Sequence, residues 1–348
     1  MNPKEGVRGL VKASLYRSGI TPAYHQRRNR RSLTVVMFHR VLPVGDPEWA
    51  DTEAIWTVSD SAFRECLEFF ERHYHVIGLP DLHRARHDAG ELPDRSVLIT
   101  FDDGWADTEW CALPILKAAG LPALVFVVAG GVGEEELWQE SIRRAWRQGR
   151  MGAVQCADLW RRATQTPQPV AWDGYALEEL IQRIATAAPD LRSGILAGLP
   201  SWTGKPLRSQ MLTEEQLRTL HSAGVSIGSH GLTHVPISQA ADPVEELRSS
   251  RSRLAAMLKV PESEIGSLSF PHGLYDDSTL IRAVEAGYEW VFTSDKGLHA
   301  TPRGQALPRV LGRLNMDGPQ LCAETGKLRP ERLASWLFDR PTLQLKAA

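Results

Sequence analysis

Cysteine is scarce in this chain: four in 348 residues (Cys66, Cys111, Cys156 and Cys322), widely separated and with no Cys-x-x-Cys pair. That spacing argues against a disulfide framework or a structural zinc knuckle, and it fits a reducing compartment. Long apolar runs are missing as well. No stretch approaches the roughly 20 apolar residues needed to span a bilayer. The first apolar residues, Val7, Leu10, Val11 and Leu15, fall on one helical face instead of forming the continuous core of a secretory signal. A cytoplasmic protein is therefore expected. Net charge is small, −2, yet unevenly placed. Residues 1–31 hold eight Lys or Arg against one Glu, a formal +7, which leaves −9 for the rest. This segment has two readings. It is a helix from Val7 to Ile20 packed on the body with a solvated basic linker (Arg27, Arg28, Arg30, Arg31), or it makes peripheral contact with an anionic membrane face. The acidic body shows no basic face, which leaves nucleic acid a poor third choice of partner.

What is present is a steady alternation of strands and helices. A length of 348 residues sets the expectation at one large domain or two small ones, and a hydrophobic fraction of 43% supplies a core. Strands are expected at Leu33–Phe38, Val76–Leu79, Val97–Phe101, Ala123–Val128, Val225–Ser229, Ser267–Phe270, Trp290–Thr293 and Leu307–Arg313. Helices are expected at Asp60–His73, Trp105–Ala119, Thr213–Ala223, Pro243–Leu258 and Asp277–Ala286. Seven or eight such units suit a closed barrel of parallel strands. From Gly130 to Leu212 the rhythm changes to helical patterns without a convincing strand, read as an insertion of about 80 residues; loops of this kind commonly shape a cleft. Its tryptophans (Trp138, Trp146, Trp160, Trp172, Trp202) either stack on ligands or form the insertion's own core. The expected organisation is thus a basic segment 1–31, a barrel 32–318 with its insertion at about 130–212, and a terminal helix (Pro330–Phe338) and tail over 319–348.

Two stretches carry chemistry. Val97-Leu98-Ile99-Thr100-Phe101 reads as a buried strand and runs straight into Asp102-Asp103-Gly104. Two carboxylates at that place are costly without a cation nearby, and the C-terminal end of a barrel strand is where active sites sit. The bland reading is an ordinary solvated turn. Val225-Ser226-Ile227-Gly228-Ser229 likewise runs into His230-Gly231-Leu232-Thr233-His234. A helical start there would put both imidazoles on one face. Two imidazoles with one carboxylate are a usual ligand set for a catalytic divalent metal.

Thr100-Phe101-Asp102-Asp103-Gly104 and Ser229-His230-Gly231-Leu232-Thr233-His234, in that order, resemble the first two motifs of the polysaccharide deacetylases of carbohydrate esterase family 4, the NodB-homology domain. The resemblance covers about residues 33 to 313. It implies a distorted (β/α)7–8 barrel, here with a helical insertion, a bound metal, and hydrolytic removal of an acetyl group from an N-acetylated sugar of a poly- or oligosaccharide or its precursor. Carried over residue by residue, it implies Asp103, His230 and His234 as metal ligands and Asp102 as general base. Zinc is the first expectation, with nickel, cobalt or iron suited to the same ligands.

Two departures open questions. The family's usual arginine before the proline of its third motif is replaced by Phe270 in Phe270-Pro271-His272-Gly273, so Arg309 at the last strand is the expected substitute that steadies the base. The usual C-terminal histidine is also missing. Permuted relatives carry theirs in a segment similar to Phe38-His39-Arg40-Val41, which implies His39 as general acid, with His272 and His299 as rivals. A backbone N–H near Leu274 is the expected oxyanion donor. Histidines 73, 75, 83, 87 and 221 are expected at the surface. Hydrolysis of a different amide or an ester on the same scaffold, and a non-catalytic carbohydrate binder, are the competing functions; an intact set of four site residues speaks against the binder.

Overall fold

The computed structural model describes residues 3–88, 90–323 and 326–343; the chain's first two residues and the tail from 344 lie outside it. Its strands are β1 (Ser32–Phe38), β2 (Arg40–Leu42), β3 (Thr57–Ser59), β4 (His75–Ile77), β5 (Ser96–Phe101), β6 (Leu124–Val127), β7 (Ser226–Ser229), β8 (Ser267–Ser269), β9 (Trp290–Thr293), β10 (His299–Ala300), β11 (Val310–Gly312) and β12 (Leu314–Asn315). β1, β5, β6, β7, β8, β9 and β11 follow one another as parallel neighbours. The sheet then turns back on itself. The short segment 310–315 pairs with β9 through β11 and with β1 through β12. Arg313, between the two pairings, therefore marks the seam of a nearly closed barrel. β4 lies beside β5, and β10 runs antiparallel at the start of β1.

The residues of β1, β5, β6 and β9 are buried on both faces, as expected of staves between an interior and a jacket of helices. On β1, Leu33 and Val35 join the interior cluster with Leu98, Phe126, Phe292 and Leu311. Val36 and Phe38 join the outer cluster with Ile99, Phe101 and the helix Asp60–His73. That helix begins where expected, its N-terminus capped by Ser59 Oγ, which accepts from the Ala62 N–H at 3.0 Å. The helix Glu214–Ser222 carries the expected Thr213–Gln216 capping box, and Pro243–Leu258 and Pro330–Phe338 keep their expected bounds. The expected strand at 76–79 stops at Ile77, because Leu79 already opens the helix Leu79–His87. The expected Trp105–Ala119 helix is a π-turn, Thr108–Ala112, followed by Leu113–Ala119.

Between β6 and β7 lie the helices Trp138–Arg147, Ala153–Ala163, Gly174–Ala185, Pro189–Gly198 and Pro200–Thr203. They enclose a separate core around Ile142, Leu159, Trp160, Leu180 and Ile184. Trp138, Trp146, Trp172 and Trp202 pack against it, so these side chains are committed to the insertion's interior.

At the other flank the helices Pro3–Arg17 and Ile20–Arg28 pack on the barrel jacket. His25 stacks on Phe338 with ring centroids 3.8 Å apart, and His73, expected at the surface, is buried against Phe69 with its Nε2 2.9 Å from the Tyr16 hydroxyl. Burial lowers His25 to about 3 and His73 to about 4. Both are neutral when folded, while the unfolded chain takes up their protons below about pH 6.5. The unfolded state then binds more protons, so stability falls as pH drops from about 6.5 towards 4, by up to about 1.4 kcal/mol per pH unit for each histidine. Urea midpoints measured between pH 7 and 5 should show this decline. His25→Phe, which keeps the stack on Phe338, should flatten the slope, and an unchanged slope would remove His25 from the account.

Candidate active site

The alternation along β5 builds the site. Leu98 points into the barrel, and two residues on Thr100, then Asp102, continue the inward series. Leu311 does the same on the seam, and its inward successor is Arg313. The two inward series meet. Arg313 Nη1 donates to Asp102 Oδ1 at 2.6 Å and Nη2 to Oδ2 at 2.7 Å, with both side chains buried. The fork-to-fork pairing of guanidinium and carboxylate is the strong form of this contact. The other Arg313 donors are also placed: Nη2 on Ser269 Oγ (2.7 Å) and Nε on the Thr293 carbonyl (3.2 Å). Arg309 precedes β11, at the opposite end of that strand, so it is Arg313 that meets Asp102; the expectation of Arg309 is corrected. Burial raises the Asp102 carboxyl, but Arg313 and the His230 imidazole outweigh it and hold the group below the usual carboxylate range.

Asp103 would face outward if the alternation held. Its φ of +74° breaks the extended backbone and swings the side chain in beside Asp102. His234 (φ +60°) and His272 (φ +58°) share this left-handed conformation, unusual for residues with a Cβ and typical of functional sites. The His230–His234 stretch is a loop and contains no helix; the two imidazoles converge because the backbone bends at Gly231 and His234, which corrects the helical expectation. Glu246, on the helix Pro243–Leu258, holds the loop. Its Oε1 accepts from the N–H groups of Leu232 (2.9 Å) and Thr233 (2.6 Å).

Asp103 Oδ1 lies 3.3 Å from His230 Nε2 and 3.3 Å from His234 Nε2. The His230 Nδ1–H donates to the Ser269 carbonyl at 2.9 Å, which fixes the ring and turns Nε2 towards Asp103. The second ring nitrogen of His234 is buried without a hydrogen-bond partner. Trp105 Nε1 donates to Asp103 Oδ2 at 2.9 Å, and the Arg40 guanidinium, itself paired with Asp107, sits 4.5 Å over the Trp105 ring. Burial pushes Asp103 up, but His234 and His230 prevail and hold it well below its ordinary value. One oxygen and two nitrogens within 4.8 Å of one another, with outer partners that fix the ring of His230, fit a tetrahedral divalent metal that keeps a position open.

His39 follows β1 and enters the same cleft. Its Nδ1 is buried without a hydrogen-bond partner, and its ring lies 4.5 Å from that of Trp56. Burial lowers its pKa, with the charges of Asp103 and Asp102 pulling the other way. His272 stacks on His234 (4.6 Å between centroids) and its Nε2–H donates to the His234 carbonyl at 3.1 Å, so it braces a neighbour. His299 is buried outside the cleft, paired with Leu33 at the start of β1, its Nε2 donating to the Gly312 carbonyl at 3.0 Å. The Leu274 and Gly273 N–H groups are spent on the carbonyls of Pro271 and Phe270, which removes the expected oxyanion donor at Leu274. The cleft has a volume of about 640 Å³, and its outer wall is built by Glu140, Arg143 and Arg147 of the insertion and by Trp56. Sequence patterning did not single out Arg313, Trp56, Trp105 or Glu246; the inward parity of the two strands would have found the first.

The barrel, its seam and this cluster define the class. The chain belongs to the polysaccharide deacetylase family, whose model matches residues 89–291. It is 22% identical over 228 residues to YxkH of Bacillus subtilis, a protein whose own assignment as a polysaccharide deacetylase is provisional; the match covers 65% of this chain, and the chain spans about half (54%) of that relative's length. Among solved structures it resembles the Streptococcus pyogenes deacetylase PplD in complex with acetate (TM-score 0.55, 18% identity, 88% of this chain and 98% of that one). It also resembles IcaB from Ammonifex degensii (TM-score 0.52, 19% identity, 88% and 97%). At these identities the likeness is one of fold.

The two candidate arginines are separated by a stability measurement. Arg313→Met leaves Asp102 buried and unpaired and should cost about 3–5 kcal/mol in urea unfolding. Arg309→Ala, on a half-buried side chain at the far end of β11, should stay within about 0.5 kcal/mol. An equal loss from both would reverse the assignment.

Proposed function

We propose that this chain is a metal-dependent hydrolase that removes the acetyl group from an N-acetylated sugar. The observation that carries the reading is one buried carboxylate, Asp102, charged by Arg313 and adjacent to the Asp103–His230–His234 ligand set. Asp103, His230 and His234 would hold the metal, with zinc the best match to two nitrogens and one oxygen. When bound, a divalent cation supplies Lewis acidity towards the amide carbonyl and lowers the pKa of water.

Asp102 is ionised in its pair with Arg313, so it can accept the proton of the attacking water. Arg313 fixes the orientation of that carboxylate. His39 stands across the cleft with an uncommitted nitrogen. It is neutral at rest, takes up a proton from solvent as negative charge develops on the carbonyl oxygen, and delivers that proton to the sugar nitrogen as the C–N bond breaks, while Asp102 returns the proton it took from water to solvent with the acetate. Trp56 offers a ring face beside His39 for a pyranose.

The test is acetate release from N-acetylglucosamine oligosaccharides. Asp102→Asn should retain bound metal and lose on the order of 10²–10⁴-fold in turnover, and chelation should abolish activity until metal is restored. His39→Ala should stop amide cleavage yet spare much of the hydrolysis of an activated aryl acetate, whose leaving group needs no proton. Near-normal turnover by Asp102→Asn, or the amide-selective loss in His272→Ala instead of His39→Ala, would show the roles misassigned.

We further propose that the reaction takes place at an anionic membrane face, on a membrane-linked precursor. One feature supports the membrane contact. The helix Pro3–Arg17 turns Ala13 and Tyr16 towards the barrel and leaves Leu10 (73% exposed), Val11 and Leu15 outward, flanked by Arg8, Lys12 and Arg17; Val7 lies outside the described side chains. Ile20 and Tyr24 extend the exposed apolar face, and no Asp or Glu occurs from residue 6 to residue 45. An interfacial helix has this layout. Cosedimentation with phosphatidylglycerol vesicles should fall when residues 1–31 are deleted, and the difference should shrink as salt rises. Equal binding by both proteins would leave the helix a purely packed element.

A further inference from the structure

A second convergence of metal-binding groups lies outside the cleft. His83 and His87 stand one helical turn apart on the helix Leu79–His87, the spacing that puts both side chains on one face. Across from them is Glu289, the residue before β9, at the end of the barrel where the strands begin and away from Asp102. His83 Nδ1 is 3.0 Å from Glu289 Oε2, and His87 Nε2 is 2.5 Å from Oε1. The two imidazoles lie nearly parallel, 14° apart with centroids at 6.5 Å. One donor atom from each residue falls within 4.8 Å of the others.

We propose that His83, His87 and Glu289 form a second divalent-metal site, of the zinc class, that clips this helix to the start of β9. The chemistry matches the catalytic cluster: two imidazole nitrogens and a carboxylate, a donor set suited to zinc, cobalt or nickel. Ligands about 2.1 Å from a tetrahedral ion are about 3.4 Å apart, so the two contacts to Glu289 need open by less than about an ångström each. The side chains are free to make that adjustment, since His83 and His87 are partly exposed. His83 also borders a cleft of about 410 Å³ shared with His221 and Glu264, and the exposure of His83 and His87 leaves the cluster open to solvent.

The competing state needs no ion: the His87 Nε2–H donates to Glu289 Oε1, while His83 Nδ1 either donates to Oε2 or accepts from the Trp290 Nε1–H at 3.4 Å. Arg86 Nε, 3.6 Å from Glu289 Oε1, favours that state by sharing the carboxylate's charge. Arg86 is only partly available, because its Nη1 donates to the Leu307 carbonyl at 2.8 Å and its guanidinium lies 5.5 Å over the Trp290 ring. The ion therefore binds, but less tightly than one held among fully buried ligands. Its effect is thermodynamic. It ties two elements that are distant in sequence, and because it binds the folded chain it raises the unfolding midpoint with ion concentration.

The experiment is a titration of the chelator-stripped full chain with Co2+, followed by visible absorption and by equilibrium dialysis. The wild-type chain should bind two equivalents. The His83→Ala/His87→Ala double variant should bind one, keep its far-ultraviolet circular dichroism, and lose the part of the Co2+-dependent rise in melting temperature that this site contributes. A His230→Ala/His234→Ala variant should also bind one equivalent, now abolished by adding Glu289→Gln. One equivalent in the wild type and none in the His83→Ala/His87→Ala variant would still support the site while removing the catalytic metal. The same stoichiometry in the wild type and the His83→Ala/His87→Ala variant, whether one or two, overturns the proposal.

Discussion

The Arg313–Asp102 pair is the contact on which the rest of the site depends. Two full charges taken out of water are expensive to bury, and they are tolerated only when each lone pair and each proton has a partner. Here the guanidinium meets that demand with Asp102, Ser269 and the Thr293 carbonyl. In return the barrel interior gains a carboxylate that is charged and immobile. The pair also joins β5 to the seam segment, so the geometry of the site and the closure of the sheet are one structural fact. At the seam Gly312 leaves no room for a side chain: a Cβ there would lie 2.3 Å from the Asp295 carbonyl oxygen.

A second constraint is backbone strain. Asp103, His234 and His272 all hold positive φ, a conformation that costs of order 1–3 kcal/mol at each residue with a side chain. The surroundings compensate. Glu246 satisfies the loop amides of Leu232 and Thr233, Trp105 holds Asp103, and His272 grips the His234 carbonyl. The donor atoms of Asp103, His230 and His234 are thus held close together by the chain itself, a pre-organisation that would lower the cost of binding a metal.

The strands and most of the helices were readable because period-2 and period-3.6 patterns are local, and caps such as Ser59 and Thr213 announce themselves in the residues that follow. Asp102, Asp103, His230 and His234 were readable because each motif is contiguous and sits at a strand end. Arg313 was not, although it lies in a stretch recognised as a strand, since choosing between two arginines on one strand requires knowing which end faces the cleft and which parity faces inward. The loop geometry at His230–His234 was hidden for a related reason: four-residue spacing suggests a helical turn, while the actual bend depends on tertiary support from Glu246. The destination of the insertion's tryptophans is a packing outcome that composition cannot decide. His73 shows the same limit in reverse, a polar residue drawn inside by the aromatic company of Phe69 and Phe338.

The seam has a consequence for the order in which the molecule comes into being. Asp102 and Arg313 are 211 residues apart, and the helices of the insertion are synthesised between them. On the ribosome the carboxylate emerges long before its cation. Until the segment 310–315 arrives, the sheet has an open edge and the nascent barrel holds an acid with no counter-charge. Such a chain has every reason to keep that end loose and hydrated. The site is therefore completed only once the segment 310–315 has been made, and a chain interrupted between His234 and Arg313 would carry both recognisable motifs and still lack the charge that balances Asp102.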